Sequence, residues 1–260
     1  MTQPLDTRLR RLRLGWMAQA FEAVNAESIK AKHSFLEFLE GLVDGELAAR
    51  DNKGLMKRIK AARFPVVKTI EDFDFDFQPR LDTKLVKTLA RCDFIEKREN
   101  VILVGQPGTG KTHLALGLGM KAVETGHRVR FTTIQDLAAT LRAAMADETT
   151  EERIKDFTEP DLVILDELGF TPLDQLLADA FYRIIASRYE RGSLVVTSNK
   201  SFESWAEVFP DAVIASAVLD RLVHHAHLVP IVGDSYRMKD LKAKQAKGGA
   251  TRRKTATTSK

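Results

Sequence analysis

Leu5, Leu9, Leu12, Leu14, Met17 and Phe21 recur at helical intervals with Arg8, Arg10, Arg11 and Arg13 between them. This spacing predicts a basic amphipathic helix over residues 5–24. A second helical pattern opens at Ser34, which stands three residues before Glu37 in a capping-box arrangement. Phe35, Phe38, Leu39, Leu42 and Val43 trace its apolar face; Gly41 and Gly45 weaken it. Leu55, Ile59 and Phe64 resume the pattern beside Lys57, Arg58, Lys60 and Arg63, and Pro65 ends it. Residues 1–66 therefore read as a small, basic, all-helical domain.

Over 67–80 the period changes to two, with Phe73, Phe75 and Phe77 alternating with Asp72, Asp74 and Asp76. That predicts an extended linker whose phenylalanines dock onto the next domain; contact with a nucleotide base is the alternative. From 81 to 238 helices and strands alternate. Helices are expected over 82–95, 111–124, 135–146, 150–157, 174–190, 202–209 and 211–225, with strands over 101–104, 128–133, 162–165, 194–199 and 228–232. The runs Leu162-Val163-Ile164-Leu165 and Leu194-Val195-Val196 are too apolar for half-exposed strands. They belong inside a parallel sheet, and the fold class expected is α/β with five parallel strands flanked by helices. Residues 239–260 are rich in Lys, Arg, Ala, Gly, Thr and Ser and read as a disordered basic tail.

Charge sharpens this division. The 260 residues carry a net charge of +4, distributed as +5 over 1–68, −9 over 69–236 and +8 over 237–260. Basic ends around an acidic middle suit either a polyanion held by the ends or a solvated basic surface with a disordered basic tail. The candidate DNA contacts are Arg8, Arg10, Arg11, Arg13, Lys57, Arg58, Lys60 and Arg63, followed by Arg142, Arg153 and Lys155. Cys92 is alone, so no disulfide framework exists, and no apolar run spans a bilayer or forms a signal peptide. A cytoplasmic protein without membrane partners is expected.

The chemistry concentrates after the first strand, in Gly105-Gln106-Pro107-Gly108-Thr109-Gly110-Lys111-Thr112. A strand, G-x-x-x-x-G-K-T and a helix form the P-loop pattern, in which glycines let backbone N–H groups converge on phosphate oxygens. Lys111 supplies charge to the β- and γ-phosphates, Thr112 a hydroxyl for Mg²⁺, and the helix N-terminus further positive potential. His113 continues the loop and is counted with the ATP contacts. Asp166-Glu167 ends a buried strand, where ligands of open α/β sheets sit. Asp166 suits a second Mg²⁺ ligand and Glu167 a base that activates water. Asn199 ends the next strand and suits a sensor of the γ-phosphate, against ordinary turn chemistry. Arg221, on a later helix, is either a surface ion-pair partner or an arginine offered to a neighbour's γ-phosphate. Arg237 is a weaker candidate for the nucleotide. His224, His225 and His227 lack cysteine companions and H-E-x-x-H spacing, and read as a helix-end cluster.

The segments GQPGTGKTHLA, LVILDELG, LVVTSNKSFESW, DRLVHHAH and GDSYR, with the opening RLRRLRL, together resemble the IstB-like ATP-binding proteins of bacterial insertion sequences. That family is itself similar to the helicase loader DnaC. The resemblance implies an AAA+ fold without a C-terminal lid, ATP-dependent self-assembly on duplex DNA, DNA bending, and recruitment of the transposase IstA. It also implies that Lys111, Thr112, Asp166, Glu167, Asn199 and Arg221 serve hydrolysis, Arg221 from the neighbouring subunit, and that Arg237 matches a terminal SYR motif. A replicative helicase loader and a DNA-binding scaffold with ATP as a structural ligand are the alternatives.

Overall fold

The computed structural model describes residues 3–239, so the basic tail expected over 239–260 lies outside the described residues beyond Lys239. The chain divides between Lys57 and Arg58 into two compact units.

In the first unit the expected helix over 5–24 is two helices, α1 (Leu5–Arg11) and α2 (Met17–Ala31). Arg13 adopts a left-handed backbone (φ 61°) that stops α1. The chain restarts where Glu46 accepts hydrogen bonds from the N–H groups of Trp16 (2.8 Å) and Met17 (3.0 Å). A carboxylate facing those otherwise unpaired donors stabilises the start of α2. The same contacts, that of Met17 foremost, hold the Glu46 carboxyl below its usual range.

Helix α3 (Phe35–Ala62) carries the capping box read from the sequence: Ser34 N–H donates to Glu37 (2.6 Å), and Glu37 N–H donates to Ser34 Oγ (3.3 Å). Gly45 does not interrupt it. A Cβ built there would lie 2.0 Å from the Trp16 ring, so the glycine admits an indole against the helix. The helix ends at Ala62, ahead of Pro65, because Arg63 turns left-handed (φ 56°).

In the second unit, residues 70–80 form consecutive turns within the stretch 67–80, where an extended linker was expected. Phe73 N–H donates to Ile70 C=O (3.2 Å), Gln78 N–H to Phe75 C=O (3.1 Å) and Phe77 N–H to the Asp74 carboxylate (3.1 Å). The aspartates between the phenylalanines thus close turns. The helix expected over 82–95 is split into α4 (Thr83–Leu89) and α5 (Asp93–Glu96) by Cys92 at φ 65°.

There follow β1 (Asn100–Gly105), α6 (Lys111–Glu124), β2 (Val129–Thr133), α7 (Ile134–Ala146), α8 (Thr150–Thr158) and β3 (Leu162–Leu168). Next come α9 (Gln175–Arg188), β4 (Ser193–Ser198), a 3-10 segment (Phe202–Glu207), α10 (Ala212–Val223) and β5 (Ala226–Ile231). The five strands are parallel in the order β2-β3-β4-β1-β5. The apolar stretches of β1, β3 and β4 are buried, as their composition requires of central strands. After β5, the described residues hold only a 3-10 turn, Tyr236–Met238.

Candidate nucleotide site

Strand β1 delivers the chain into the loop Gly105–Thr112, and Gly110 caps α6 at φ 100°, a backbone that side chains rarely adopt. A Cβ there would also come within 2.6 Å of the Phe73 ring. Lys111 folds back over the loop, its Nζ donating to the carbonyls of Gly105 (2.8 Å) and Gln106 (3.0 Å). Burial pushes the Lys111 ammonium below its ordinary range, against the pull of Asp166, with the charge of Arg237 adding to the depression. Thr109 is buried and ties the loop shut by donating to Gln106 C=O (2.8 Å). His113 lines the cleft, but its ring nitrogen lies 2.9 Å from Thr69 C=O and its edge meets Phe73 (5.4 Å between centroids). In this structure it fastens residues 69–73 to α6.

Across the loop, the Thr112 hydroxyl sits 3.0 Å from both carboxylate oxygens of buried Asp166. Strand pairing slips between Leu165 and Leu168, so Asp166 and Glu167 occupy a bulge. Glu167 takes a left-handed backbone (φ 65°), and its side chain is exposed toward the cleft. Such a bulge re-aims side chains at the end of a strand, and the backbone conformation stores strain where chemistry would use it. Asn199 lines the same cleft and keeps a buried Oδ1 without a hydrogen-bond partner, which is costly unless a bound group completes it. The hydroxyl of Thr112 and the carboxylate of Asp166 are hard oxygen donors, a set that fits Mg²⁺.

The cleft measures about 440 Å³, and part of its lining is aromatic and comes from two segments remote in sequence. Phe73 and Phe77 come from residues 69–78, and Tyr236 from the turn after β5; Phe77 and Tyr236 meet edge to face at 5.1 Å. Gln78 Nε2 donates to Asp234 C=O (3.0 Å) and Lys239 pairs with Asp74 (2.7 Å), tying the two segments to each other, while Tyr236 N–H donates to Gly108 C=O (2.8 Å) and ties the turn to the phosphate loop. Arg237 lines the cleft beside them. Sequence reasoning missed Thr197, Gln78 and Tyr236 as parts of this site. Tyr236 adjoins Arg237, and Gln78 follows the Phe/Asp alternation, so a signal existed for those two.

Arg221 stands elsewhere. It lies near the start of β1, where Asn100 Nδ2 donates to the carbonyl of Leu222 (3.0 Å), whereas the phosphate loop follows the end of that strand. Its guanidinium donates to Ala217 C=O (2.9 Å) and covers the Tyr182 ring at 5.3 Å. Two of the three histidines cluster at the end of α10, where His224 and His225 lie 4.0 Å apart between ring centroids, His224 meeting Tyr189 (2.7 Å) and His225 approaching Glu190 at 3.9 Å, while His227 stands apart and meets Glu99 (2.8 Å).

Of the basic candidates, Arg8, Arg10, Arg11, Arg13, Lys57, Lys60, Arg63 and Lys155 are exposed. Arg58 donates to Val123 C=O (3.0 Å), Arg142 pairs with Asp174 (2.5 Å), and Arg153 approaches Asp156 (3.6 Å). Arg58 is thereby a packing tie, and the other two share their charge with carboxylates.

A family model described as "IstB-like ATP binding protein" matches residues 7–245. The chain is 43% identical over 236 residues to an "Insertion sequence IS21 putative ATP-binding protein" of Pseudomonas aeruginosa, covering 91% of this chain and 89% of that protein. It is 37% identical over 237 residues to an "Insertion sequence IS5376 putative ATP-binding protein" of Geobacillus stearothermophilus, covering 91% and 94%. Among solved structures it resembles DnaI, with a TM-score of 0.56 at 20% identity over 66% of this chain and 93% of that one. A likeness at that identity speaks to the fold, and the fold is the AAA+ P-loop fold.

Proposed function

The chain belongs to the IstB-like ATP-binding proteins, and from that premise we propose an ATPase that assembles on duplex DNA, bends it and recruits the transposase of its insertion sequence. The observation that carries the hydrolytic part is the bulged Asp166-Glu167 pair facing Lys111 and Thr112 across one cleft. A protein that only binds nucleotide has no use for an exposed carboxylate aimed there by a strained backbone.

In this reading the loop N–H groups and Lys111 hold the triphosphate, with Lys111 exchanging its contacts to the Gly105 and Gln106 carbonyls for the β- and γ-phosphate oxygens. Mg²⁺, held by Thr112 and Asp166, would polarise the phosphoryl oxygens. Glu167 takes a proton from water as the water oxygen attacks the γ-phosphorus, and the bond to the ADP oxygen breaks. Asn199 orients that water through its unpaired amide oxygen. Phe73, Phe77 and Tyr236 enclose the base. Arg221 approaches the γ-phosphate of the adjoining subunit, which makes ATP part of the contact between subunits.

DNA and transposase as partners are supported by the insertion-sequence context of the relatives and by the exposed arginines of α1. The test is light scattering of the purified chain with and without duplex DNA, ATP and transposase, paired with phosphate release. The expected result is a large assembly requiring both ATP and DNA, and one that persists in a Glu167→Gln variant. A monomer under every condition, with no phosphate released, overturns the reading.

A further inference from the structure

The geometry points to Thr197 as a positioning residue for both members of the Asp166-Glu167 pair, an inference that rests on the ATPase reading. Thr197 lies on β4, beside the bulge of β3, and is 1% exposed. Its hydroxyl donates to Asp166 Oδ1 and accepts the backbone N–H of Glu167 (2.9 Å). One side chain therefore fixes the carboxylate of the first acid and the backbone of the second.

The Glu167 tie has no substitute in the strand ladder, and the second donor to Asp166 is needed elsewhere. Strand pairing between β3 and β4 is interrupted over Leu165 to Leu168, so a threonine hydroxyl takes over where a backbone carbonyl would otherwise receive the Glu167 N–H. That N–H belongs to the residue at φ 65°, a conformation that persists only when its surroundings enforce it. Thr112 reaches Asp166 as well, but Thr112 is itself a proposed Mg²⁺ ligand and must turn its oxygen toward the ion. Thr197 has no such second duty, so it holds Asp166 in the same place whether or not the metal is bound.

A hydroxyl is required, because both contacts end on Oγ1. Valine keeps the volume and branching of threonine and removes both bonds; serine keeps the bonds and removes the methyl. Thr197→Val should lower the turnover of ATP by about 100-fold, the cost expected when a reacting group is displaced by ~1 Å, with the KM for ATP changed by less than about 3-fold. Thr197→Ser should stay within about 3-fold of the parent.

The second readout does not need hydrolysis. Binding of a fluorescent, non-hydrolysable ATP analogue is titrated with Mg²⁺, and Thr197→Val should raise the half-saturating Mg²⁺ about 10-fold, equivalent to losing one charge-assisted hydrogen bond of about 1.4 kcal/mol at the ion's ligand. Binding of the analogue without Mg²⁺ should not move. Circular dichroism and thermal melting establish that each variant is folded. Should the parent release no phosphate, the ATPase reading fails while the Mg²⁺ titration still decides the role of Thr197. An unchanged Mg²⁺ requirement in Thr197→Val, or equal losses in the serine and valine variants, overturns the inference.

Discussion

Lys111 and Arg221 stand at opposite ends of the same sheet: the lysine follows the last residue of β1, and the arginine lies beside its first. A strand of that length separates them by roughly 17 Å. Arg221 therefore does not reach the phosphates of its own chain.

This placement makes a complementation result the expected one. Arg221→Ala keeps an intact nucleotide cleft and lacks the arginine; Lys111→Ala keeps the arginine and lacks the cleft. Each alone should fall about 10³-fold in ATP turnover on DNA, and a mixture should recover a substantial fraction of parental turnover, because some cleft of one meets the arginine of the other. Phosphate release across a mixing series measures it. No recovery at any ratio would confine Arg221 to its contacts with Ala217 and Tyr182.

Gly110 is under two constraints at once, a left-handed backbone and the Phe73 ring, which a Cβ there would overlap at 2.6 Å. Gly110→Ala should cost about 1–3 kcal/mol in backbone strain alone. The strain falls on the residue whose geometry aims the loop N–H groups, so ATP affinity should drop by at least about 10-fold. A titration with fluorescent ATP analogue checks this, and unchanged affinity would mean that the loop has slack to absorb the methyl.

How much of this was legible beforehand depends on the range of the interaction concerned. The alternation of apolar strands and amphipathic helices specified the five-stranded parallel sheet, because burial on both faces dictates composition directly. The P-loop and Asp166-Glu167 were legible for the same reason that they are chemical: each position needs a particular residue type at a fixed spacing. Thr197 was not, since its partner lies 31 residues away and its role arises from a bulge that no local pattern announces. Gly45 misled in the opposite direction. It reads as a weak point of α3, and only the packed indole of Trp16 explains it. The break between α1 and α2 depends likewise on Glu46, a carboxylate about 30 residues downstream.

Arg188 was also invisible in the sequence, and its contribution is to stability. It is 1% exposed, and its guanidinium donates to the carbonyls of Phe157 (3.1 Å), Pro160 (2.8 Å), Asp161 (3.1 Å) and Ser193 (2.7 Å), gathering the entries of β3 and β4. Burial pushes it down to about 10, still well above neutrality, so it remains charged. Arg188→Met would fill part of the volume and remove all four of these hydrogen bonds, with Asp161 C=O keeping only the N–H of Ser193 (3.1 Å). A loss of at least about 3 kcal/mol is expected, read as a shift in the denaturant midpoint of the second unit. A loss under about 1 kcal/mol would indicate that water replaces the guanidinium at these carbonyls.

The last prediction follows from the proposed DNA binding and concerns which residues would carry it. Exposed Arg8, Arg10, Arg11 and Arg13 crowd the end of α1 and the turn after it, and charges that touch phosphate release counterions. Arg142 and Arg153, by contrast, already face Asp174 and Asp156, so binding a phosphate there means competing with a carboxylate. Replacing the four N-terminal arginines by glutamine should therefore flatten the dependence of log K on log salt by about 0.9 for each phosphate left without its arginine. Replacing Arg142 and Arg153 should change it less. Fluorescence anisotropy with labelled duplex, from low to moderate salt and with the ATP analogue present, separates the two. Equal slopes for the parent and the N-terminal variant, with a flattened slope for the Arg142 and Arg153 variant, would move the proposed DNA-binding surface to the second unit.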